Sequence, residues 1–251
     1  MLKVETYGDG GTPLLIAHGL FGSARNWGAI AKRLSASREV RVPDLRNHGD
    51  SPWTESHGYD DLARDLAPLA GGDVLGHSMG GKAAMVLALT RPERVARLVV
   101  ADIAPVAYSH SQTPLIHAMR DVDLSRVETR GDADRQLAHA VEDPGVRAFL
   151  LQSLDVKGRR WRLNLDVLEA EMERITGWDE IEGVFEGPTL FLSGATSDYV
   201  QRGHRDRIRS LFPTAKFASI PGAGHWVHAE KPREFVAAVE TFLSMTDASS
   251  G

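Results

Sequence analysis

The stretch that decides the fold is Asp73-Val74-Leu75-Gly76-His77-Ser78-Met79-Gly80-Gly81. It places a serine between a short apolar run and a long helical pattern, with glycines two residues before and two residues after it. Small residues at those two positions let a strand and the following helix meet in a sharp turn. Such a turn exposes the Ser78 side chain at the end of the strand and leaves the backbone N–H of Met79 at a helix N-terminus, where it can stabilise an oxyanion. The stretch therefore predicts a nucleophilic serine; the alternative is a glycine-rich corner whose serine has no role.

The order of a short apolar run followed by a helical pattern recurs along the chain. The apolar runs predict strands at Leu14–Ala17, Val40–Val42, Val74–Leu75, Leu98–Ala101, Thr189–Leu192 and Lys216–Ile220. Helical patterns occur at Trp27–Leu34, Tyr59–Leu69, Met79–Thr90, Gly203–Leu211 and Arg233–Met245. Several predicted strands are apolar without alternation, which is typical of strands covered on both faces. This pattern predicts an α/β fold with a mostly parallel central sheet flanked by helices.

Residues 106–186 break this order. They show no strand pattern and several helical ones, at Asp132–Val141, Pro144–Leu154 and Leu165–Thr176. A segment of this length is too long for a plain strand-to-helix connection. We therefore predict a helical cap subdomain at 106–186, inserted into a core domain formed by residues 1–105 and 187–251. The cap holds 10 basic and 16 acidic side chains, which accounts for essentially all of the net charge of the chain.

Composition excludes several classes of protein. The 251 residues carry 29 basic and 34 acidic side chains, and this net charge of −5 argues against a nucleic-acid partner. The absence of cysteine excludes disulfides, thiolate catalysis and cysteine-ligated metals. We find no signal-peptide pattern and no apolar run of 18 residues, so we expect a cytoplasmic protein without membrane insertion.

Cofactor and metal motifs are weak. Gly76 and Gly80 do not form a dinucleotide-binding fingerprint, and no phosphate-binding loop motif occurs in the sequence. His225 and His228 have the spacing of a ligand pair but lack a convincing third ligand. We therefore expect neither a cofactor nor a metal.

A serine hydroxyl needs a base to become a good nucleophile, and His225 is the best candidate among the ten histidines. It follows a predicted strand in Gly222-Ala223-Gly224-His225-Trp226, where small residues allow the imidazole to turn toward Ser78. His77 adjoins Ser78, but neighbours on a sharp turn point apart, so His77 is a poor base. We predict that Ser78 and His225 are catalytic.

Two aspartates could orient the base. Asp102 ends the predicted strand Leu98–Ala101, and Asp198 lies in the loop after the predicted strand Thr189–Leu192. Both positions bring a carboxylate to the sheet edge where Ser78 emerges, and the order serine, acid, histidine along the chain fits either choice. We favour Asp102 and keep Asp198 as the alternative, because Asp198 lies one residue further past its glycine than is common.

A second glycine turn, Ala17-His18-Gly19-Leu20-Phe21-Gly22-Ser23, brings backbone N–H groups beside the predicted nucleophile. With the N–H of Met79, Leu20 or Phe21 can complete an oxyanion hole. The side chains expected to bind substrate are those of Leu20, Phe21, His77, Trp161 and Trp226. The basic run Lys157–Arg162 could contact the phosphates of an acyl-coenzyme A, although a solvated turn explains it more simply.

With these residues assembled, the chain resembles the α/β-hydrolase superfamily over nearly its whole length, and in particular its YbfF-like branch of small bacterial esterases. The matching segments are His18–Ser23, Asp44–Gly49, Gly76–Lys82, Asp102–Pro105, Trp161–Asn164 and Gly222–Glu230. The resemblance implies hydrolysis of an ester or thioester by a serine nucleophile beneath a helical cap. In that branch an aspartate placed like Asp102 can serve as the acid.

The expected substrate is a small-molecule ester or thioester, and we expect a monomer or homodimer. Because the fold does not determine the reaction, carbon–carbon bond hydrolysis and perhydrolysis are alternatives, as is a receptor that binds a small ligand without turnover. Dehalogenase and epoxide-hydrolase activities are excluded, since they require an acid at the position of Ser78.

Overall fold

The computed structural model describes residues 1–247, so the last four residues of the predicted core domain lie outside the described chain. Nine strands occur within it: β1 (Val4–Tyr7), β2 (Leu14–Ala17), β3 (Val40–Pro43), β4 (Gly72–His77), β5 (Val95–Ala101), β6 (Leu154–Asp155), β7 (Arg160–Trp161), β8 (Thr189–Gly194) and β9 (Lys216–Ile220). Seven of them form the central sheet in the order β1-β3-β2-β4-β5-β8-β9. Only β1 runs antiparallel to its neighbour in this sheet. The predicted mostly parallel sheet is confirmed.

Of the eleven helices in residues 1–247, six flank the sheet directly: α1 (Ala24–Leu34), α2 (Tyr59–Leu66), α3 (Met79–Thr90), α9 (Arg205–Leu211), α10 (Val227–Glu230) and α11 (Pro232–Asp247). One face of the sheet packs with α1, α10 and α11, and the other packs with α2, α3 and α9. Strands β2 and β4 are fully buried between these layers, which explains why their sequences show no alternation.

The register of the sheet brings the carboxyl ends of its central strands together. Gly76 of β4 pairs with Ala17 of β2 and with Val100 of β5. On the far side of β5, Ala101 pairs with Leu192 of β8. The loops that follow these four strands therefore leave from the same edge, which we call the carboxyl edge.

The predicted cap segment contains five helices: α4 (Thr113–Arg120), α5 (Arg130–Leu137), α6 (Pro144–Leu150), α7 (Leu165–Ala170) and α8 (Met172–Thr176). Its buried apolar side chains belong to the same cluster as those of α2 and α3, so the segment packs directly on that layer. The expectation that it contains no strand is wrong, because β6 and β7 form a short antiparallel hairpin. The sequence analysis also missed the edge strand β1 and helix α4, which are short and only partly buried.

Candidate active site

Ser78 lies in a strained turn between β4 and α3. Its φ is 53°, in the left-handed region that non-glycine residues rarely occupy, and such a conformation costs roughly 1–3 kcal/mol. The flanking glycines are required by close backbone contacts. A Cβ on Gly76 would lie 2.2 Å from the carbonyl oxygen of Gly80, and a Cβ on Gly80 would lie 2.4 Å from that of Ala17. The sequence therefore forms the sharp turn that its glycine spacing predicts.

His225 reaches Ser78 from the loop after β9. Its Nε2 lies 3.0 Å from Oγ of Ser78, and its Nδ1 lies 2.8 Å from Oδ2 of Asp102. The backbone carbonyl of His225 accepts a hydrogen bond of 2.9 Å from Nε2 of His77. If Nδ1 carries the proton, Nε2 is free to accept the serine proton. The three side chains thus have the geometry of proton transfer from an alcohol to an imidazole supported by a carboxylate.

Asp102 follows β5 and is completely buried. Its Oδ1 accepts a hydrogen bond of 3.0 Å from the backbone N–H of Gly194, and its Oδ2 accepts one from the hydroxyl of Ser197. These donors stabilise a buried carboxylate whose charge would otherwise be costly. Asp198, the alternative acid, is exposed. Its backbone carbonyl accepts a hydrogen bond from the side-chain amide of Gln201. The neighbouring Ser197, rather than Asp198, contacts the carboxylate that supports His225.

The three predicted oxyanion donors differ in their availability. The backbone N–H of Phe21 donates to Nε2 of His48 at 3.2 Å, so it is already used. Those of Leu20 and Met79 have no acceptor among residues 1–247. The turn that carries Leu20 lies against the nucleophile, because a Cβ on Gly19 would be 3.3 Å from Cβ of Ser78. Leu20 and Met79 are therefore the donors available to a substrate oxygen, and the expectation for Phe21 is not met.

Two buried histidines brace the loops around the site. His18 contacts the carbonyl of Gly19 through Nδ1, and its Nε2 accepts the N–H of Leu45 at 2.9 Å. His48 contacts the carbonyl of Arg46 through Nδ1 and holds Phe21 through Nε2. Burial lowers the pKa of His18 to about 4 and that of His48 to about 3, so both imidazoles are neutral and act as connectors between loops.

Ser78 and His225 open onto a cavity of about 530 Å³ between the carboxyl edge and the cap segment. Four of the predicted substrate-binding residues lie on its wall, namely Leu20, Phe21, His77 and Trp226. Trp161 does not, because it is buried inside the cap segment and its indole N–H donates to the carbonyl of Met119 at 2.8 Å. The expectation that Trp161 binds substrate is therefore wrong; its N–H instead satisfies the end of α4.

The basic run Lys157–Arg162 lies on the β6–β7 hairpin and is absent from the cavity wall within residues 1–247. Arg162 contacts Asp50 at 2.9 Å, and Arg160 contacts Asp155 at 3.5 Å. These aspartates partly neutralise the basic run, which does not line the described cavity beside Ser78. This arrangement does not favour the capture of coenzyme A phosphates by these side chains.

Lys82, which lies one turn after Ser78 on α3, was not predicted as part of the site. Its ammonium is buried and donates to the backbone carbonyls of Thr176 and Gly177 at the end of α8. It also lies 4.9 Å from the ring centre of Tyr108. Burial lowers the pKa of Lys82 to about 7. The signal in the sequence was its position four residues after the nucleophile, on the same face of the helix.

Tyr199 was also missed. Its ring stacks on the imidazole of His225, with ring centres 3.9 Å apart and planes inclined by 20°. Its hydroxyl lies 2.6 Å from Nε2 of His110, and its backbone carbonyl accepts the hydroxyl of Tyr108 at 2.8 Å. Tyr199 therefore connects the imidazole of His225 to the first residues of the cap segment, and no local sequence pattern predicts this contact.

These features agree with comparisons to known proteins. The model of the alpha/beta hydrolase family matches residues 14–239. The chain belongs to this family. It is 42% identical to the sn-1-specific diacylglycerol lipase ABHD11 of Mus musculus, over 94% of this chain and 83% of that protein. It is 38% identical to the esterase YbfF of Escherichia coli (strain K12), over 93% of both chains. A solved structure titled "Marine microorganism esterase" matches with a TM-score of 0.92 at 36% identity, covering 96% of this chain and 98% of that one.

The predicted resemblance and the predicted α/β-hydrolase fold are therefore confirmed, and the chain is an esterase or lipase of this family. Among residues 1–247, no helix is both long and apolar enough to cross a membrane. Within the same range, no three histidine or acidic side chains are grouped so that they could hold a metal ion.

Proposed function

We propose that this hydrolase cleaves carboxylic esters through an acyl-enzyme on Ser78, with His225 as general base and Asp102 as the acid that orients it. The observation that carries the proposal is the continuous chain of contacts from Ser78 Oγ to His225 Nε2 at 3.0 Å and from His225 Nδ1 to Asp102 Oδ2 at 2.8 Å. The cavity beside Ser78 provides the space for an acyl chain and an alcohol.

In the first half of the reaction, Oγ of Ser78 attacks the ester carbonyl carbon while its proton passes to Nε2 of His225. The backbone N–H groups of Leu20 and Met79 hold the negative oxygen of the tetrahedral intermediate. Loss of one such donor typically raises the barrier by about 3 kcal/mol. When the intermediate collapses, His225 returns the proton to the alcohol oxygen, and the alcohol departs.

In the second half, a water molecule takes the place of the alcohol. His225 removes one proton from the water, the hydroxide adds to the acyl carbon, and the negative oxygen of the second tetrahedral intermediate lies in the same oxyanion hole. When this intermediate collapses, the bond between the acyl carbon and Oγ breaks, His225 returns its proton to Oγ of Ser78, and the carboxylic acid leaves. Asp102 remains ionised throughout. It holds the Nδ1 proton in place and stabilises the positive charge that the imidazole acquires twice in each cycle.

We propose oxygen esters rather than coenzyme A thioesters as the substrates. The charged side chains on the cavity wall are Lys82, Glu142 and Asp143, and the described wall holds no arginine. The ammonium of Lys82 is already bound to two carbonyls, and both acids are repelled by phosphate. The arginines of the β6–β7 hairpin lie elsewhere.

Replacement of Ser78 with alanine tests the mechanism. We expect hydrolysis of a chromogenic butyrate ester to fall by at least about 10⁴-fold, because the nucleophile is lost. Mass spectrometry of the native protein after brief exposure to the ester should show an added acyl group, and the Ser78→Ala variant should not. Circular dichroism checks that the variant is folded.

Unchanged hydrolysis in the Ser78→Ala variant would refute the assignment of the nucleophile. An acyl adduct that forms without turnover would favour the receptor alternative. Cleavage of a carbon–carbon bond or peracid formation at a higher rate than ester hydrolysis would move the chain to another branch of the family.

A further inference from the structure

The imidazole of His225 is carried by a loop rather than by a helix or a strand, and its side chain is 20% exposed. Gly222, which has a φ of 66°, precedes it by three residues. Among residues 1–247 the ring has two hydrogen-bond partners, Ser78 at Nε2 and Asp102 at Nδ1. These two bonds fix the positions of the nitrogens but leave rotation about the line between them to be limited by other contacts.

Tyr199 packs flat against one face of this imidazole. The ring centres are 3.9 Å apart and the planes are inclined by 20°. Two other aromatic neighbours lie further away and at steeper angles, His77 at 4.9 Å and 41° and Trp226 at 6.2 Å and 57°. Of these three neighbours, Tyr199 alone makes the nearly parallel contact that resists rotation of the His225 ring.

Tyr199 is itself held from several sides. Its hydroxyl lies 2.6 Å from Nε2 of His110, and its backbone carbonyl accepts the hydroxyl of Tyr108 at 2.8 Å. Its backbone N–H donates to the hydroxyl of Ser197 at 3.3 Å, and that hydroxyl donates to Asp102. The loop after β8 therefore contacts both the carboxylate and the imidazole of the candidate site, so a single short segment fixes one relative to the other.

The two halves of the proposed reaction place different demands on the imidazole. Before acylation, the hydroxyl of Ser78 bonds Nε2 of His225, so both ring nitrogens are anchored. The hydroxyl proton then passes to Nε2 and from there to the departing alcohol. In the acyl-enzyme, Oγ carries the acyl group and no proton, so the anchor at Nε2 is lost. The contact with Tyr199 therefore matters most in the second half, when Nε2 must take a proton from a water molecule.

We propose that Tyr199 is a positioning residue for deacylation: its ring keeps the imidazole of His225 aligned while Ser78 is acylated. This inference rests on the proposed acyl-enzyme mechanism and names the step that the loop after β8 controls. In that step one water proton passes to Nε2 and the hydroxide bonds to the acyl carbon. The bond from that carbon to Oγ then breaks, and the proton returns to Oγ. Tyr199 exchanges no proton and acts through His225.

Acid-quench mass spectrometry during steady hydrolysis of p-nitrophenyl butyrate measures both halves of the reaction. The turnover rate divided by the acylated fraction of the protein gives the rate constant of deacylation. The same rate divided by the unacylated fraction gives the rate constant of acylation at that ester concentration. For Tyr199→Ala we expect deacylation to slow about fivefold and acylation to change less than about twofold, so the acylated fraction rises.

Tyr199→Phe keeps the ring and loses only the hydroxyl contact with His110, so both rate constants should stay within about twofold of the native values. The matched control is Tyr7→Ala, since Tyr7 is also half-buried but lies on β1 and does not line the described cavity. Its two rate constants should equal those of the native protein. Thermal melting checks that each variant is folded, and Tyr199→Leu, which also lacks a flat ring, replaces the alanine variant if that one does not fold.

An equal fall in both rate constants, or a larger fall in acylation, would overturn the inference, because a merely structural role of Tyr199 disturbs both halves of the reaction. A phenylalanine variant that deacylates as slowly as the alanine variant would overturn it as well. If the native protein hydrolyses no ester, or if Ser78→Ala keeps its activity, the proposed function itself fails, and neither of these results depends on Tyr199.

Discussion

The carboxyl edge of the sheet and the cap segment hold their polar side chains in opposite ways. At the edge, Asp102 is completely buried and accepts three hydrogen bonds from fixed donors. In the cap segment, exposed pairs such as Arg120 with Glu169 and Arg135 with Asp132 predominate. Surface ion pairs of this kind contribute about 0–1 kcal/mol each, so many of the cap's charges can change at little cost. The comparison shows that the side chains proposed to carry out the reaction lie at the edge, whereas the cap segment contributes part of the cavity wall.

The largest expected effect separates the two aspartates of the edge. Asp102→Asn should lower kcat by about 10⁴-fold, since the amide can no longer hold the required tautomer of His225. Asp198→Asn, at an exposed position beside the cavity-lining Tyr199, should change kcat less than about twofold. Steady-state kinetics on one butyrate ester, with thermal melting as the control for folding, measures both. The reverse order of effects would reassign the acid to Asp198.

The second effect concerns the neutral histidines of the edge and the stability of the whole protein. In the folded state the pKa values of His18, His48 and His228 are lowered to about 4, about 3 and about 3. As the pH falls below about 6.5, these three imidazoles bind protons in the unfolded chain before they do so in the folded protein. Each site therefore removes about 1.4 kcal/mol of unfolding free energy per pH unit down to its folded pKa, and the three together remove about 4 kcal/mol per unit.

Urea denaturation at pH 7, 6 and 5 measures the total loss, to which His57 and His77 add because burial lowers their pKa values as well. Because His228→Phe removes one of the three groups, its unfolding free energy should fall less steeply, by about 1.4 kcal/mol per pH unit. His139→Phe, at an exposed site, should follow the native slope. A native protein equally stable at pH 7 and pH 5 would show that these imidazoles are not held neutral.

The smallest expected effect belongs to the cap segment. Lys157→Ala combined with Arg159→Ala removes two exposed charges of the basic run without breaking the Asp50 and Asp155 pairs. We expect kcat/KM to change less than about twofold for both a butyrate ester and butyryl-coenzyme A, at low and at high salt. If the double variant lost activity only toward butyryl-coenzyme A, and only at low salt, the result would show that this hairpin recognises phosphate.

The carboxyl edge and the cap segment also differ in how much of their structure could be predicted from the sequence. The turn at Ser78 was predictable because glycines at positions 76 and 80 leave the backbone few alternatives. Between Asp102 and Asp198 the sequence supported only a preference for Asp102, because the contact of Asp102 with His225 accompanies a φ of 51° at Asp102 that local spacing does not predict. This backbone conformation depends on contacts across the sheet, which the spacing of residues along the chain does not reveal.

The cap was the less predictable part, because the hairpin strands β6 and β7 are only two residues long and helix α4 was not predicted. Trp161, which belongs to one of the segments that carry the family resemblance, was expected to bind substrate. Whether an indole faces a ligand or satisfies a helix end, as Trp161 does with Met119, depends on tertiary packing. Lys82 and Tyr199 were missed for the same reason: their partners lie more than 25 residues away along the chain.

The order of the strands has a consequence for biosynthesis. Ser78 and Asp102 precede the cap in the chain, whereas His225 follows β9, the outermost strand on its side of the sheet. A ribosome-bound chain that has released only the first two of these residues holds a serine without its base. Under the proposed mechanism, ester hydrolysis therefore requires that the final strand has docked, so an unfinished polypeptide does not hydrolyse esters.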